Sequence, residues 1–198
     1  MGNGLSDEQR RKRRRKRRII AIVFYLAVVA GIIWYFESQA TTTIIFVRHA
    51  EKELQAEDPS LSEAGKRRAA ELARQLVDAD VVAGIDAVYA TPFRRTQETA
   101  QAVASKLDLP IHTYDPADNE AVLAEILKTY KGKIILVVGH SNTLPTLIAD
   151  LGASKKVPPI DEDEYDNIYV ISIPWSGKTK TIRLRYGDPY LPAAAAAN

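Results

Sequence analysis

Short apolar runs alternate with helix-like segments through most of the chain after residue 42. The helix-like segments carry apolar residues at 3.6-residue spacing and cover 62–79, 94–107, 120–130 and 144–152. The apolar runs have the composition of strands and cover 43–47, 86–90, 111–114, 133–140, 167–174 and 179–186. Strand and helix in turn, with continuously apolar strands, predict an α/β domain built as a three-layer sandwich around a mostly parallel central sheet.

A different pattern precedes this domain. Residues 19–36 contain no charged side chain and no polar stripe at helical spacing, which a buried core helix would normally show. As a helix with a rise of ~1.5 Å per residue, the run would span about 27 Å, close to the thickness of a bilayer core. It ends in Trp34, Tyr35 and Phe36, which is typical of a lipid headgroup boundary. The pattern predicts one N-terminal transmembrane helix.

The basic residues are concentrated at the N-terminus. Nine of the 27 Lys and Arg residues lie at 10–18, directly before the apolar run, so the rest of the chain is net acidic. A basic block alone suggests a nucleic-acid-binding arm. Beside a membrane helix it favours a cytoplasmic signal that also attracts anionic lipid, with no nucleic acid expected. The domain would then lie outside the cytoplasm, in the periplasm of a Gram-negative cell.

The same segment has a second interpretation. Ser38 and Ala40 are small residues at the spacing of a signal-peptidase site, so the domain could instead be secreted after cleavage at Ala40. The apolar run is longer than the usual core of a cleaved signal, which favours an uncleaved anchor.

Length and composition limit the organisation to one well-cored domain with an extension. The chain has 198 residues, 46% of them hydrophobic, and no cysteine, which excludes disulfides, thiolate metal sites and a cysteine nucleophile. We predict a basic arm, an anchor or signal segment, a short linker, the α/β domain and a C-terminal tail, at 1–18, 19–36, 37–42, 43–188 and 189–198.

A histidine stands at or just after the end of two of the apolar runs. The run at 43–47 is followed by Arg48 and then His49, and the run at 133–140 ends with His140. The run at 86–90 leads into a segment with two arginines, Arg94 and Arg95. Because parallel strands deliver their carboxyl ends to one edge of a sheet, we expect these segments to converge there. Guanidinium groups suit phosphate oxygens, and a neutral imidazole can attack phosphorus, so the pattern indicates phosphoryl chemistry.

Three motifs resemble the histidine phosphatase superfamily, which has the phosphoglycerate-mutase-like fold. They are RHAE at 48–51, TPFRRTQETA at 91–100 and VVGHSN at 137–142, and the resemblance covers about 43–186. It points to the compact branch of small bacterial phosphatases that form phosphohistidine. It implies an α/β sandwich, phosphorylation of His49, and phosphoryl binding by Arg48, Arg95 and His140. The choice of Arg95 over Arg94 rests on this resemblance.

The leaving oxygen needs a proton, and the family generally takes it from a carboxylic acid. Glu120 stands where many members carry that acid, although its sequence surroundings differ. Asp118 is an alternative that would otherwise cap a helix, and Asp115 before Pro116 could simply begin a turn. Some compact members manage without an evident acid.

The remaining polar residues near the motifs have simpler interpretations. Ser141 and Asn142 could cap the next helix, whose free N–H groups could help to hold an anion. Glu51 with His49 and His140 could suggest a metal site, but neighbouring arginines would repel a cation, so we expect neither metal nor cofactor. We expect a structural role for His112. The acidic loop at 161–167 could rim the pocket and discourage highly anionic substrates.

The sequence therefore predicts a membrane-anchored phosphatase that hydrolyses a phosphomonoester through a phosphohistidine at His49. The partner is a small phosphorylated substrate, and a phosphoprotein remains possible. The alternatives are a non-catalytic module that binds phosphorylated ligands and a mutase-type phosphotransferase.

Overall fold

The computed structural model describes residues 7–38, 41–54, 56–78, 84–153 and 157–192. The chain forms two compact units, Met1–Ala40 and Thr41–Asn198. The first contains one helix, α1, at Asp7–Ser38. Within it, Glu8–Phe36 is long and apolar enough to cross a membrane, with a hydropathy of 2.6 in its most apolar window, although a signal sequence has the same properties. The predicted cleavage site at Ala40 lies outside the described residues.

In its described residues, the second unit is built on a six-stranded sheet with four helices. The helices are α2 (Glu63–Asp78), α3 (Arg94–Leu107), α4 (Asn119–Thr129) and α5 (Leu144–Asp150). The strands are β1 (Thr41–Arg48), β2 (Ala87–Ala90), β3 (Ile111–Thr113), β4 (Ile134–Gly139), β5 (Asn167–Pro174) and β6 (Lys180–Arg185). Their order across the sheet is β3-β2-β4-β1-β5-β6.

The sheet is mixed, so the prediction of a mostly parallel sheet was wrong. The pairings β1–β4, β2–β4 and β2–β3 are parallel, whereas β1–β5 and β5–β6 are antiparallel. After the short helix α5, the chain returns to the edge where β1 ends, and there Arg48 binds backbone carbonyls of the segment before β5. β5 therefore starts at that edge and runs against β1. Only residues 175–179 then join β5 to β6, and such a short connection permits an antiparallel pair alone.

Helices cover both faces of the sheet and give it two apolar cores. Alternate residues of β1 point to opposite faces, with Ile44 and Phe46 in one core and Ile45 and Val47 in the other. The first core also contains residues of α4 and α5, and the second contains residues of α2 and α3. This double burial explains why β1, β2 and β4 are apolar without the alternation of a half-exposed strand.

The parallel register brings three strand ends together. Arg48 at the end of β1 is paired with Gly139 at the end of β4, and Ala90 at the end of β2 is paired with Val138. The backbone N–H of His49 donates to the carbonyl of Gly139 at 3.0 Å. The residues that follow these strands therefore meet at one edge of the sheet.

Candidate active site

His49 and His140 are neighbours at this edge. Their ring centroids lie 5.4 Å apart, and the two residues are 4% and 9% exposed. Each follows directly on a buried parallel strand, so the backbone fixes both rings. The site therefore holds two buried imidazoles side by side.

The hydrogen bond of the His49 ring defines which nitrogen is free. Its Nδ1 lies 2.8 Å from the carbonyl oxygen of Ala50. A carbonyl only accepts, so Nδ1 carries the proton and Nε2 keeps its lone pair. Burial, helped by the charges of Arg48, His140 and Arg95, lowers the pKa of His49 to about 3. His49 is thus a neutral imidazole with a nucleophilic Nε2 at physiological pH.

His140 is held by hydroxyl groups from the segment after β2. Its Nε2 lies 2.9 Å from Oγ1 of Thr91, which in turn lies 2.8 Å from Oγ1 of Thr96. The edge of the His140 ring packs against Phe93, with centroids 5.2 Å apart. Burial first, and then the charges of Arg95, Arg48 and Lys52, lower the pKa of His140 to about 4. The second imidazole is also neutral at physiological pH.

Arg48 is buried under residues 161–166, the part of the acidic loop that precedes β5. Its Nη1 donates to the carbonyl oxygens of Asp161 at 2.7 Å and Glu164 at 3.1 Å. The guanidinium carbon lies 4.2 Å from the ring centroid of Tyr165. Nε of Arg48 is buried and has no hydrogen-bond partner in the described part of the chain. The side chain is therefore fixed by the acidic loop.

Arg95 approaches the same place from the first turn of α3. Its side chain is 16% exposed, and its nearest carboxylate is Asp58, with Nη1 and Oδ1 3.7 Å apart. The guanidinium carbon lies 4.6 Å from the ring centroid of Phe93. As with Arg48, its Nε is buried without a hydrogen-bond partner among the residues that the structure describes. The side chain of Arg94 is 62% exposed and faces away.

These groups line one cleft of about 330 Å³. It brings together the sequence-predicted residues Arg48, His49, Arg95, His140, Ser141 and Asn142. Five further lining residues were not predicted as site residues: Lys52, Leu54, Glu162, Asp163 and Tyr165. The only sequence signal for the last three was the acidic run itself, which we expected to rim the pocket.

The structure does not bring the predicted proton donor into this cleft. Glu120 is exposed in the first turn of α4 and is not among the lining residues. Asp118 caps the same helix by accepting from the N–H of Ala121 at 3.0 Å. Oδ1 of Asp115 accepts from the N–H of Ala117 at 2.9 Å, as in a turn.

His112 and Glu51 contact other parts of the fold. The His112 ring stacks on Tyr89 with centroids 4.9 Å apart. Glu51 accepts from Nε of Arg68 at 2.8 Å. Within the described ranges, no group of three or more His, Cys, Asp or Glu residues is arranged to hold a metal ion.

The sequence matches the histidine phosphatase superfamily (branch 1) over residues 44–116. This segment includes His49 and its flanking motif as well as the motif that carries Arg95. This match supports a relation of the segment 44–116 to the histidine phosphatase superfamily. A comparison with curated proteins gives no match.

Several solved structures of phosphatases share the fold. A protein histidine phosphatase SixA complexed with tungstate has a TM-score of 0.59 and 21% identity, covering 72% of this chain and 96% of that one. A putative phosphohistidine phosphatase SixA from Nakamurella multipartitia has a TM-score of 0.54 and 20% identity, covering 76% and 98%. A phosphoserine phosphatase from Entamoeba histolytica, in complex with 3-phosphoglyceric acid, has a TM-score of 0.54 and 18% identity, covering 74% and 97%.

Proposed function

We propose that this histidine phosphatase hydrolyses phosphomonoesters through a phosphohistidine at His49. The observation that carries the proposal is a pair of buried guanidinium donors beside two neutral imidazoles. Nε of Arg48 and Nε of Arg95 lack a hydrogen-bond partner in the described residues, and both side chains line the cleft with His49 and His140. Unpaired buried donors are costly unless a ligand accepts from them, and phosphoryl oxygens are suitable acceptors.

In the first step, Nε2 of His49 attacks phosphorus. The new bond joins Nε2 to phosphorus, and the bond from phosphorus to the leaving oxygen breaks with its electron pair. Arg48, Arg95 and His140 stabilise the charge on the remaining phosphoryl oxygens. The Nδ1 proton of His49 stays on its hydrogen bond to Ala50, where the carbonyl dipole stabilises the positive charge that the ring acquires.

In the second step, water attacks the phosphohistidine. The oxygen of water bonds to phosphorus, the phosphorus–nitrogen bond breaks, and its electron pair returns to Nε2, while both protons of the water stay on the phosphate as H2PO4−. The leaving oxygen released in the first step takes its proton from solvent. Inorganic phosphate leaves and the neutral His49 tautomer is restored. We further propose that Ser141 and Asn142 contact the phosphoryl group or the leaving group from the start of the segment after β4.

A second candidate substrate is a phosphorylated histidine of another protein. Glu120 is exposed and does not line the cleft, which favours leaving groups that depart without strong protonation. An imidazole is a better leaving group than an alkoxide because its conjugate acid is far more acidic. One of the fold relatives is described as a protein histidine phosphatase and another as a putative phosphohistidine phosphatase.

We propose that α1 anchors the phosphatase in a membrane. The support is the uncharged run at 19–36, which lies within the candidate membrane span Glu8–Phe36, and the basic run at 10–18 that precedes it. Residues 10–18 would remain in the cytoplasm and contact anionic lipid, and the phosphatase domain would lie outside.

The activity is tested with the full-length chain in detergent. The chain should hydrolyse an aryl phosphate, and His49→Ala should abolish turnover. A series of phosphate esters and a phosphoramidate should show rates that rise steeply as the leaving group becomes more acidic. Binding of tungstate by the wild-type chain without any turnover would contradict the enzyme and support the non-catalytic module. Transfer of the phosphoryl group to an added alcohol instead of water would support the mutase-type alternative.

A further inference from the structure

We propose that residues 186–190, here called the C-terminal strap, position two segments of the phosphoryl site. These are the acidic loop, which binds Arg48, and the segment that follows His49. The inference rests on the proposed function, since it concerns how Arg48 and the segment after His49 are held. None of the strap residues lines the cleft that contains the two histidines. The strap therefore acts through the acidic loop and through Arg68, and not by contact with the substrate.

The acidic loop determines where the Arg48 guanidinium lies. Both acceptors of Nη1 are backbone carbonyls of this loop, at Asp161 and Glu164, and the ring of Tyr165 lies 4.2 Å from the guanidinium carbon. A shift of the loop backbone would therefore move the guanidinium of Arg48, the last residue of β1. Phosphoryl transfer depends on such positioning, because small displacements of a binding group lower the rate substantially.

The strap holds the acidic loop at both ends. The hydroxyl of Tyr190 donates to Oδ2 of Asp161 at 2.7 Å. The backbone N–H of Tyr190 donates to Oδ2 of Asp166 at 2.9 Å, and the N–H of Tyr186 donates to the carbonyl of Asp166 at 3.0 Å. Asp161 raises the pKa of Tyr190 to about 12, so the hydroxyl keeps its proton. One short segment thus binds the first and last residues of the loop.

The strap is also connected to the segment after His49. Nη1 of Arg68 donates to the carbonyl of Tyr186 at 3.0 Å and to that of Asp188 at 3.2 Å. The same side chain donates through Nε to Oε1 of Glu51 at 2.8 Å. Glu51 lies two residues after His49. Through the Glu51 side chain, Arg68 therefore links the strap to the segment that follows the candidate nucleophile, His49.

Gly187 allows this close approach. Its φ of +64° lies in the left-handed region, and a Cβ at this position would lie 3.1 Å from Nη1 of Arg68. Glycine accordingly satisfies both the turn and the contact. The strap contacts Arg68 across 118 positions in sequence and Asp161 across 29 positions, which is why the sequence pattern gave no sign of it.

The test removes the hydrogen bond between Tyr190 and Asp161 by substituting either its donor or its acceptor. Tyr190→Phe keeps the ring and the backbone N–H, and Asp161→Ala keeps the carbonyl that binds Arg48. Tyr130→Phe is the matched control, since the Tyr130 hydroxyl contacts His112 at 3.4 Å, away from the cleft. For each full-length variant we would measure kcat, KM, the tungstate dissociation constant and Tm.

We expect Tyr190→Phe and Asp161→Ala each to weaken tungstate binding and lower kcat/KM by about three- to tenfold, the range for loss of one hydrogen bond. The double variant should resemble either single variant, because both remove the same bond. Tyr130→Phe should bind tungstate like the wild type. If the variants lowered Tm but bound tungstate as tightly as Tyr130→Phe, the strap would be only structural and the proposal overturned.

Failure of the proposed function would look different. A wild-type chain that binds tungstate but does not hydrolyse an aryl phosphate would overturn the enzyme, while the tungstate affinities would still decide the strap. A wild-type chain that neither binds tungstate nor hydrolyses the ester would overturn both.

Discussion

Arg95→Met is the substitution that most cleanly separates binding of the phosphoryl group from stability of the fold. The Arg95 side chain is largely buried, yet its nearest carboxylate, Asp58, is 3.7 Å away and 42% exposed. Removing the guanidinium therefore leaves no buried unpaired charge. The methionine side chain can retain the apolar contact with Phe93.

The magnitude follows from the hydrogen bond that Arg95 is proposed to make. A hydrogen bond to a charged group contributes about 1.5–3 kcal/mol, and every 1.4 kcal/mol is about tenfold in an equilibrium or rate ratio. We therefore expect Arg95→Met to lower kcat/KM by about 10- to 150-fold. Because Arg95 is one of the charges that lower the pKa of both histidines, its removal should also raise those pKa values.

The assay compares Arg95→Met with Arg94→Met in the full-length chain. Arg94 is adjacent in sequence and carries the same charge, but its side chain is 62% exposed and lies 3.8 Å from Glu98 in the same helix. Surface ion pairs of this kind contribute about 0–1 kcal/mol, so Arg94→Met should change kcat/KM by no more than about fivefold. Tungstate affinity should fall only in Arg95→Met, and Tm should be similar in both.

The reasoning would be refuted if the two variants had equal kcat/KM and equal tungstate affinity. A larger loss of kcat/KM in Arg94→Met than in Arg95→Met would mean that Arg94, and not Arg95, contacts the phosphoryl group. Both results can be read directly because the two variants have the same net charge.

Three further predictions concern protonation, metals and topology. Because burial lowers the pKa of His49 to about 3 and that of His140 to about 4, both rings should stay neutral as the pH falls from 7 to 5. An ordinary histidine would be only about 3% neutral at pH 5, so an acid limb near pH 6.5, beyond the substrate's own ionisation near pH 6, would contradict the buried site. Since guanidinium groups bind the anion, EDTA should leave turnover unchanged, and a loss restored by added metal would contradict this. Protease added to spheroplasts should digest an epitope after residue 41 and spare one at the N-terminus, whereas a protected domain would contradict the proposed topology.

The convergence of His49 and His140 could be predicted because it depends on local pattern. Each residue directly follows a continuously apolar run, and such runs favour adjacent parallel strands. In the parallel register of β1 and β4, Arg48 pairs with Gly139, so the next residue of each strand is a histidine. The apolar runs before the two histidines, together with the rule that parallel strands end at one edge of a sheet, were enough to predict that His49 and His140 meet.

The direction of β5 and the path of the acidic loop could not be predicted in this way. Both involve contacts between residues far apart in sequence: the antiparallel pairing of β5 with β1, and the hydrogen bonds from Arg48 to Asp161 and Glu164, which join residues more than 110 positions apart. The late strands were recognisable from their composition, but composition carries no information on the direction in which a strand enters a sheet. Nor does it show that Glu162, Asp163 and Tyr165 line the cleft.

Glu120 illustrates a different limit. Its assignment as proton donor rested on the family resemblance, because many members carry an acid at this place in the sequence. In the structure it occupies the first turn of a helix whose N-terminus is capped by Asp118, and the side chain is exposed. The resemblance indicated the segment but could not give the direction of the side chain.

The proposed phosphohistidine at His49 can be tested directly by trapping the phosphorylated enzyme. The full-length chain would be mixed briefly with a phosphate-labelled aryl ester, quenched without acid, and mapped by peptide mass spectrometry. The account predicts one phosphoryl group on His49 that is labile in acid and stable in base, absent in His49→Ala and formed more slowly in His140→Ala. Label on a serine, or steady turnover with no label on His49, would contradict it.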